Sequence, residues 1–203
     1  MDNEHNTNER EHQQGKKHGK KAEEEKVSAL SQSIRRGAVT GHNRGIADSQ
    51  VQGNVEILPK DSAADFLRFC QNNRRPCPII GLSEPGDPYL HALGSDIDIR
   101  TDVPQYRVWR DGVITASPND VSDLWRDDSV TFVIGCSFPF EQALLESDVP
   151  IRHNVQGRNV SMFRTNIQTV AAAPFSGRMV GIMPSPNAEA AIKAVQLTSR
   201  CQE

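Results

Sequence analysis

The chain has 203 residues, 36% of them hydrophobic, and a formal net charge of −3. No apolar run approaches the ~20 residues that a membrane-spanning helix needs, so no membrane partner is expected. The composition is uneven, because residues 1–26 contain no Ile, Leu, Phe, Trp or Tyr.

Such a segment cannot bury enough apolar surface to offset the entropy of ordering, and a disordered tail is expected over residues 1–26. It lacks the apolar core of a secretion signal. Asp2, Glu4, Glu9 and Glu11 make it a poor mitochondrial presequence, so a cytoplasmic location is expected. Lys16, Lys17, Lys20 and Lys21 are followed at once by Glu23, Glu24 and Glu25, which reads as a solvated tail rather than a nucleic-acid contact. Residues 27–203 suffice for one domain of ordinary size or two small ones. Cys70, Cys77, Cys136 and Cys201 form no CxxC pair and have no histidine at ligand spacing. Reduced thiols are expected, and no metal site.

In chain order, Val27, Leu30 and Ile34 have helical spacing, and Gly37 would stop that helix. A second helix follows Pro59, capped by Asp61 or Ser62, with Ala64, Phe66, Leu67, Phe69 and Cys70 facing inward. Residues 76–82 contain a short apolar strand. Glu84 to Pro88 (EPGDP) has turn chemistry. Strands are expected at Ile97–Asp102 and Tyr106–Trp109, the second leading into a hairpin turn at Asp111-Gly112.

The run Val130 to Ile134 is β-branched and aromatic, as a covered strand should be. Gly135 breaks it, and Pro139 suits the first turn of a helix over residues 139–147. Pro150 to His153 reads as extended and Arg178 to Met183 as a strand. A last helix spans Ala188–Leu197 with Ala191, Ile192 and Val195 on its inner side. Helices and strands mix without strict alternation, which gives an α/β core with an adjoining antiparallel part.

Three polar clusters are candidates for chemistry. Glu84 and Asp87 lie in EPGDP, which is either a functional loop or simply a rigid turn. Asp98, Arg100, Thr101 and Asp102 form DIRTD, where Asp98 and Arg100 are either functional or a surface ion pair. Arg158, Asn159, Arg164 and Asn166 crowd one short stretch, as a binding loop or a solvated one. Arginine forks grip carboxylates bidentately, so several arginines near a helix start suit an acidic small molecule. Cys136 at the strand-to-helix corner is either a thiol activated by the helix start or a small buried apolar residue. His153 has both a structural and a catalytic reading.

These stretches resemble the D-glutamate cyclase family, whose members also carry provisional hydro-lyase names. The resemblance runs from about Ile34 to Arg200 through GNVEILPKDSAADFLRFCQNNRRPCPII, SEPGDP, DIRTDVPQYRVWRDG, DVSDLWRDDSVTFVIGCSFPFEQALLE, PIRHNVQGRNVSMFRTNI, MVGIMPSP and AVQLTSR. It implies an α/β fold with a three-layer sandwich and a smaller two-layer α+β part. It also implies lyase chemistry interconverting D-glutamate with 5-oxo-D-proline and water. Members continue past the TSR segment, so the resemblance implies that the sheet is incomplete at the C-terminus. Many have Tyr where Phe163 stands here.

On that reading the substrate is a small acidic amino acid. Arg158, Arg164 and Arg100 would hold its carboxylates, and Asn159 and Asn166 would orient it. Ser137 at the helix start would help hold an oxyanion or a carboxylate. Asp98 or Asp102 would carry the proton, and Cys136 is a further catalytic candidate. The chemistry requires no metal or organic cofactor. A homo-oligomer is compatible with the sequence. The competing expectation is a non-catalytic fragment that binds a carboxylate or a partner.

Overall fold

The computed structural model describes residues 29–40, 52–94, 96–158, 160, 162–181 and 187–199, with Phe138 and Pro139 described by their backbone alone. The fold class is α/β, and the named strands all pair antiparallel. The chain divides into two compact units. One comprises Met1–Ala47 and Thr101–Val121, the other Asp48–Arg100 and Ser122–Glu203. The expected tail over residues 1–26 lies outside the described residues. Among the described residues, no helix is long and apolar enough to cross a membrane.

In the first unit, helix α1 (29–35) ends as its sequence predicts. Gly37 takes φ 68 and its N–H closes onto Ile34 O at 2.8 Å, a conformation that glycine adopts without a Cβ clash. Strands β3 (Val108–Arg110) and β4 (Val113–Ala116) form the expected hairpin. Its turn residues Asp111 and Gly112 both have positive φ, 49 and 77, which matches the twist of the flanking strands.

The second unit holds a three-stranded sheet in the order β1-β5-β2, formed by β1 (Gly53–Pro59), β2 (Ile79–Leu82) and β5 (Ser129–Gly135). The central strand β5 is buried from Ser129 to Val133, as its unbroken apolar run predicts. Helix α2 (Lys60–Asn72) covers one face. Ala63, Val130 and Phe132 form that core, with Leu58, Phe66, Leu67, Ile79 and Ile134 packed against it. On β2, a Cβ added to Gly81 would come within 2.7 Å of Leu93 Cδ1, so a larger residue there would push the exposed Leu93 side chain aside.

Two details of α2 differ from expectation. It starts at Lys60 with Pro59 at the N-cap and no side-chain cap, because the chain turns directly out of β1 and Lys60 N bonds Asp128 O instead. Ala63 rather than Ala64 faces the core, a rotation of one position that two adjacent alanines do not betray.

The strand expected at Ile97–Asp102 does not form. Asp98 makes only an isolated bridge to Tyr89, and its carboxylate accepts the Arg100 backbone N–H at 2.9 Å. A short polar side chain here outcompetes the ladder for a backbone donor. The EPGDP segment is a pinned turn. Gly86 (φ 80) donates to Ser129 O, and its own carbonyl accepts Trp125 Nε1 at 3.0 Å.

After β5 come α3 (Phe138–Glu146), α4 (Arg152–Val155), the β6 (Phe163–Gln168) and β7 (Arg178–Gly181) pair, and α5 (Ala188–Thr198). Ile182 and Met183 of the expected last strand lie outside the described residues. Residues Pro150 to His153 are not extended throughout, because Arg152 and His153 open α4. In α5 the inward residues are Ala190, Ala194 and Leu197, whereas Ile192 and Val195 are exposed. The expected inner side of that helix is therefore corrected. Small Ala190 and Ala194 let α5 approach Leu144 and Ile151 closely, and the bulkier residues turn outward.

Candidate active site at a strand-to-helix corner

β5 delivers the chain to a corner. Gly135 N–H bonds Pro78 O at 2.8 Å and Cys136 N–H bonds Gln52 O at 3.2 Å, fixing the strand end on both sides. Ser137 is the N-cap of α3, yet its side chain caps no backbone group. Its hydroxyl instead donates to Glu141 Oε1 at 2.7 Å. The other carboxylate oxygen, Glu141 Oε2, lies 3.0 Å from His153 Nε2.

Glu141 and His153 are almost fully buried, at 4% and 2% exposure, while Ser137 is half-buried. An ionised carboxylate only accepts, so against ionised Glu141 the donor is Nε2. Packing sets this geometry. Leu144, Val149, Ile151 and Ala194 form one buried cluster with Phe140 beside it. That cluster holds α3 against the turn that leads into α4, and α4 carries His153. The His153 carbonyl in turn accepts the Arg158 backbone N–H at 2.8 Å. Ser137, Glu141, His153 and the Arg158 backbone are thus joined by consecutive contacts.

Among the other expected site residues, the two aspartates are each held by an arginine. Asp98 engages Arg100 through both carboxylate oxygens, at 2.9 Å to Nε and 2.7 Å to Nη2. Asp102, in the first unit, is gripped by Arg35 through both of its oxygens. Arg164 and Asn166 are exposed on β6, in a stretch where the pairing with β7 is irregular. Asn159 lies outside the described residues. Cys136 is half-buried beside Ser137 and forms no disulfide.

Sequence reasoning missed Glu141 as a functional group. One signal was present: Glu141 and Leu144 are three residues apart in a helix, so they share a face. A carboxylate on the buried stripe of an apolar helix needs a partner.

The profile described as D-glutamate cyclase matches residues 130–203, the part that contains this corner. The chain is 56% identical over 169 residues to a protein of Verminephrobacter eiseniae provisionally named a hydro-lyase, covering 83% of this chain and 62% of that one. A Bordetella pertussis protein with a similar provisional name is 58% identical over 166 residues, covering 82% and 60%. A third, from Bordetella petrii, is 55% identical over 166 residues, covering 82% and 63%.

The chain is similar to the D-glutamate cyclase family through that segment and to proteins with hydro-lyase names through most of its length. It spans about three fifths of the length of the curated relatives it matches. Ser137, Glu141, His153, Arg158, Arg164 and Asn166 all fall within the segment matched by the D-glutamate cyclase profile. Asp98 and Asp102 precede it.

Proposed function

We propose that this chain has lyase chemistry of the D-glutamate cyclase type, interconverting D-glutamate with 5-oxo-D-proline and water. The observation that supports it is the Ser137–Glu141–His153 array within the segment that matches the family profile. The substrate's α-amine attacks its own γ-carboxyl carbon. Because the reaction is intramolecular, holding the substrate folded supplies much of the rate. Arg158 and Arg164 are the proposed carboxylate grips, with Asn159 and Asn166 orienting the substrate. Asp98 and Asp102 are weaker candidates for the proton carrier than the sequence suggested, since each has both oxygens engaged by an arginine.

The test is chiral chromatography of D-glutamate, L-glutamate and 5-oxo-D-proline incubated with the chain and with its Arg158→Ala variant. Conversion of the D-forms alone, weakened in the variant, agrees with the proposal. Unchanged turnover in the variant removes Arg158 from the site.

A second reading, a non-catalytic carboxylate- or partner-binding fragment, is favoured by one observation. Ile192 and Val195 on α5 and Phe163 and Ile167 on β6 are apolar and exposed, between 47% and 68%. Exposed apolar residues mark a site of association where they join into a contiguous patch. That reading predicts binding of glutamate without turnover, or association of the chain.

A further inference from the structure

We infer that Ser137 is the substrate-facing end of a proton relay, and that Glu141, buried behind it, stores the proton that the substrate's ammonium group gives up. The inference rests on the lyase reading and names the proton carrier within it.

A hydroxyl has one proton to donate and two lone pairs. The Ser137 proton is already committed to Glu141 Oε1 at 2.7 Å. What Ser137 has left for a ligand is acceptor capacity alone. That suits an ammonium donor and disfavours a carboxylate, so Ser137 is reassigned from the acid end of the substrate to its amine end. Ser137 is half-buried and reachable, while Glu141 and His153 are shielded. A proton passed to Glu141 is therefore held locally instead of being lost at once to solvent. His153 Nε2, 3.0 Å from Glu141 Oε2, keeps the carboxylate oriented whether or not Oε1 is protonated. His153 is a positioning residue here.

The step balances. The ammonium nitrogen gives a proton to Ser137 Oγ as Ser137 passes its own proton to Glu141 Oε1. The neutral amine then forms the C–N bond to the γ-carbon. Nitrogen loses a second proton on closing the lactam. Both protons end on the departing carboxyl oxygen, one of them returned from Glu141 through Ser137, and that oxygen leaves as water. No oxidant, metal or net proton is consumed, and the reverse reaction uses the same path.

The experiment labels the histidines of the whole chain with ¹⁵N and follows the His153 ring by NMR while D-glutamate is added. The His153 signal is assigned by its loss in His153→Gln or, should that variant not fold, by its slow exchange with solvent. The relay predicts a shift of Nε2 in the parent, its loss in Ser137→Ala and its return in Ser137→Thr, which restores the hydroxyl. A shift that survives in Ser137→Ala overturns the relay, and so does a parent whose His153 ignores D-glutamate. Turnover is measured on the same samples. A parent that shows the Ser137-dependent shift but forms no 5-oxo-D-proline keeps the relay and refutes the cyclase reading.

Discussion

Glu141 Oε2 meets His153 Nε2 at 3.0 Å in a place that water hardly reaches. Twelve residues of sequence separate the two, and the Leu144–Val149–Ile151–Ala194 core closes the gap. Removing one partner leaves the other buried and unpaired, which costs about 1–3 kcal/mol. Glu141→Ala is therefore expected to lower unfolding free energy by about 1–3 kcal/mol in urea titration. Glu146→Ala on the same helix removes only an exposed hydrogen bond with Gln142. It should cost well under about 1 kcal/mol.

Asn73 does for Val170 what a neighbouring strand would do. Its Oδ1 accepts the Val170 N–H at 2.9 Å and its Nδ2 donates to the Val170 carbonyl at 2.8 Å. Asn73 is buried, and the same amide also bonds Phe69 O. Asn73→Ala leaves these backbone groups without their partner and is expected to cost about 1–3 kcal/mol. Hydrogen exchange at Val170 should accelerate more than exchange in β5.

Glu56 on β1 is an exposed residue whose carboxyl group is nonetheless desolvated, and this raises its pKa above the usual 4.5. The folded state then holds its proton more tightly than the unfolded chain does. Stability from this group is greatest at low pH and falls as pH rises through 4.5 toward the raised folded value. Glu56→Gln should therefore raise Tm at pH 7 and leave it unchanged well below pH 4.5. Thermal melts of parent and variant across pH 3 to 8 check the sign, taking this range about the carboxylate titration.

Burial, with a smaller contribution from Cys77, pushes the Cys70 thiol up to about 11. Since the thiolate is the nucleophile, Cys70 should resist alkylation at neutral pH. Mass spectrometry after iodoacetamide treatment should find Cys70 unmodified in the folded chain and labelled in urea. Rapid labelling of Cys70 in the folded chain would show that α2 does not pack as described.

The parts of the fold legible in the sequence are those where one local rule acts alone. The β5 run, the Gly135 break, the helix over 138–146 and the Asp111-Gly112 hairpin each follow from a single strong preference. Misreadings arise where two preferences compete. Ile97–Asp102 alternates like a strand, but the Asp98 carboxylate takes the Arg100 N–H. In α5 the choice between Ala194 and Val195 as the inner residue depends on how closely α3 approaches, which no periodicity records. The candidate site was legible as a corner and not as a network. Ser137 was named from its place before Pro139, and Arg158 from its guanidinium. His153 was named with a structural and a catalytic reading, whereas Glu141 looks like an ordinary surface residue until the core between them forms.

The most direct measurement compares D-glutamate turnover by the parent chain and by Ser137→Ala, with 5-oxo-D-proline quantified as product. Turnover in the parent and a loss of at least about a hundredfold in the variant is the predicted result, the scale of a proton-transfer group removed. Equal turnover in the two chains, or none in the parent, would contradict it.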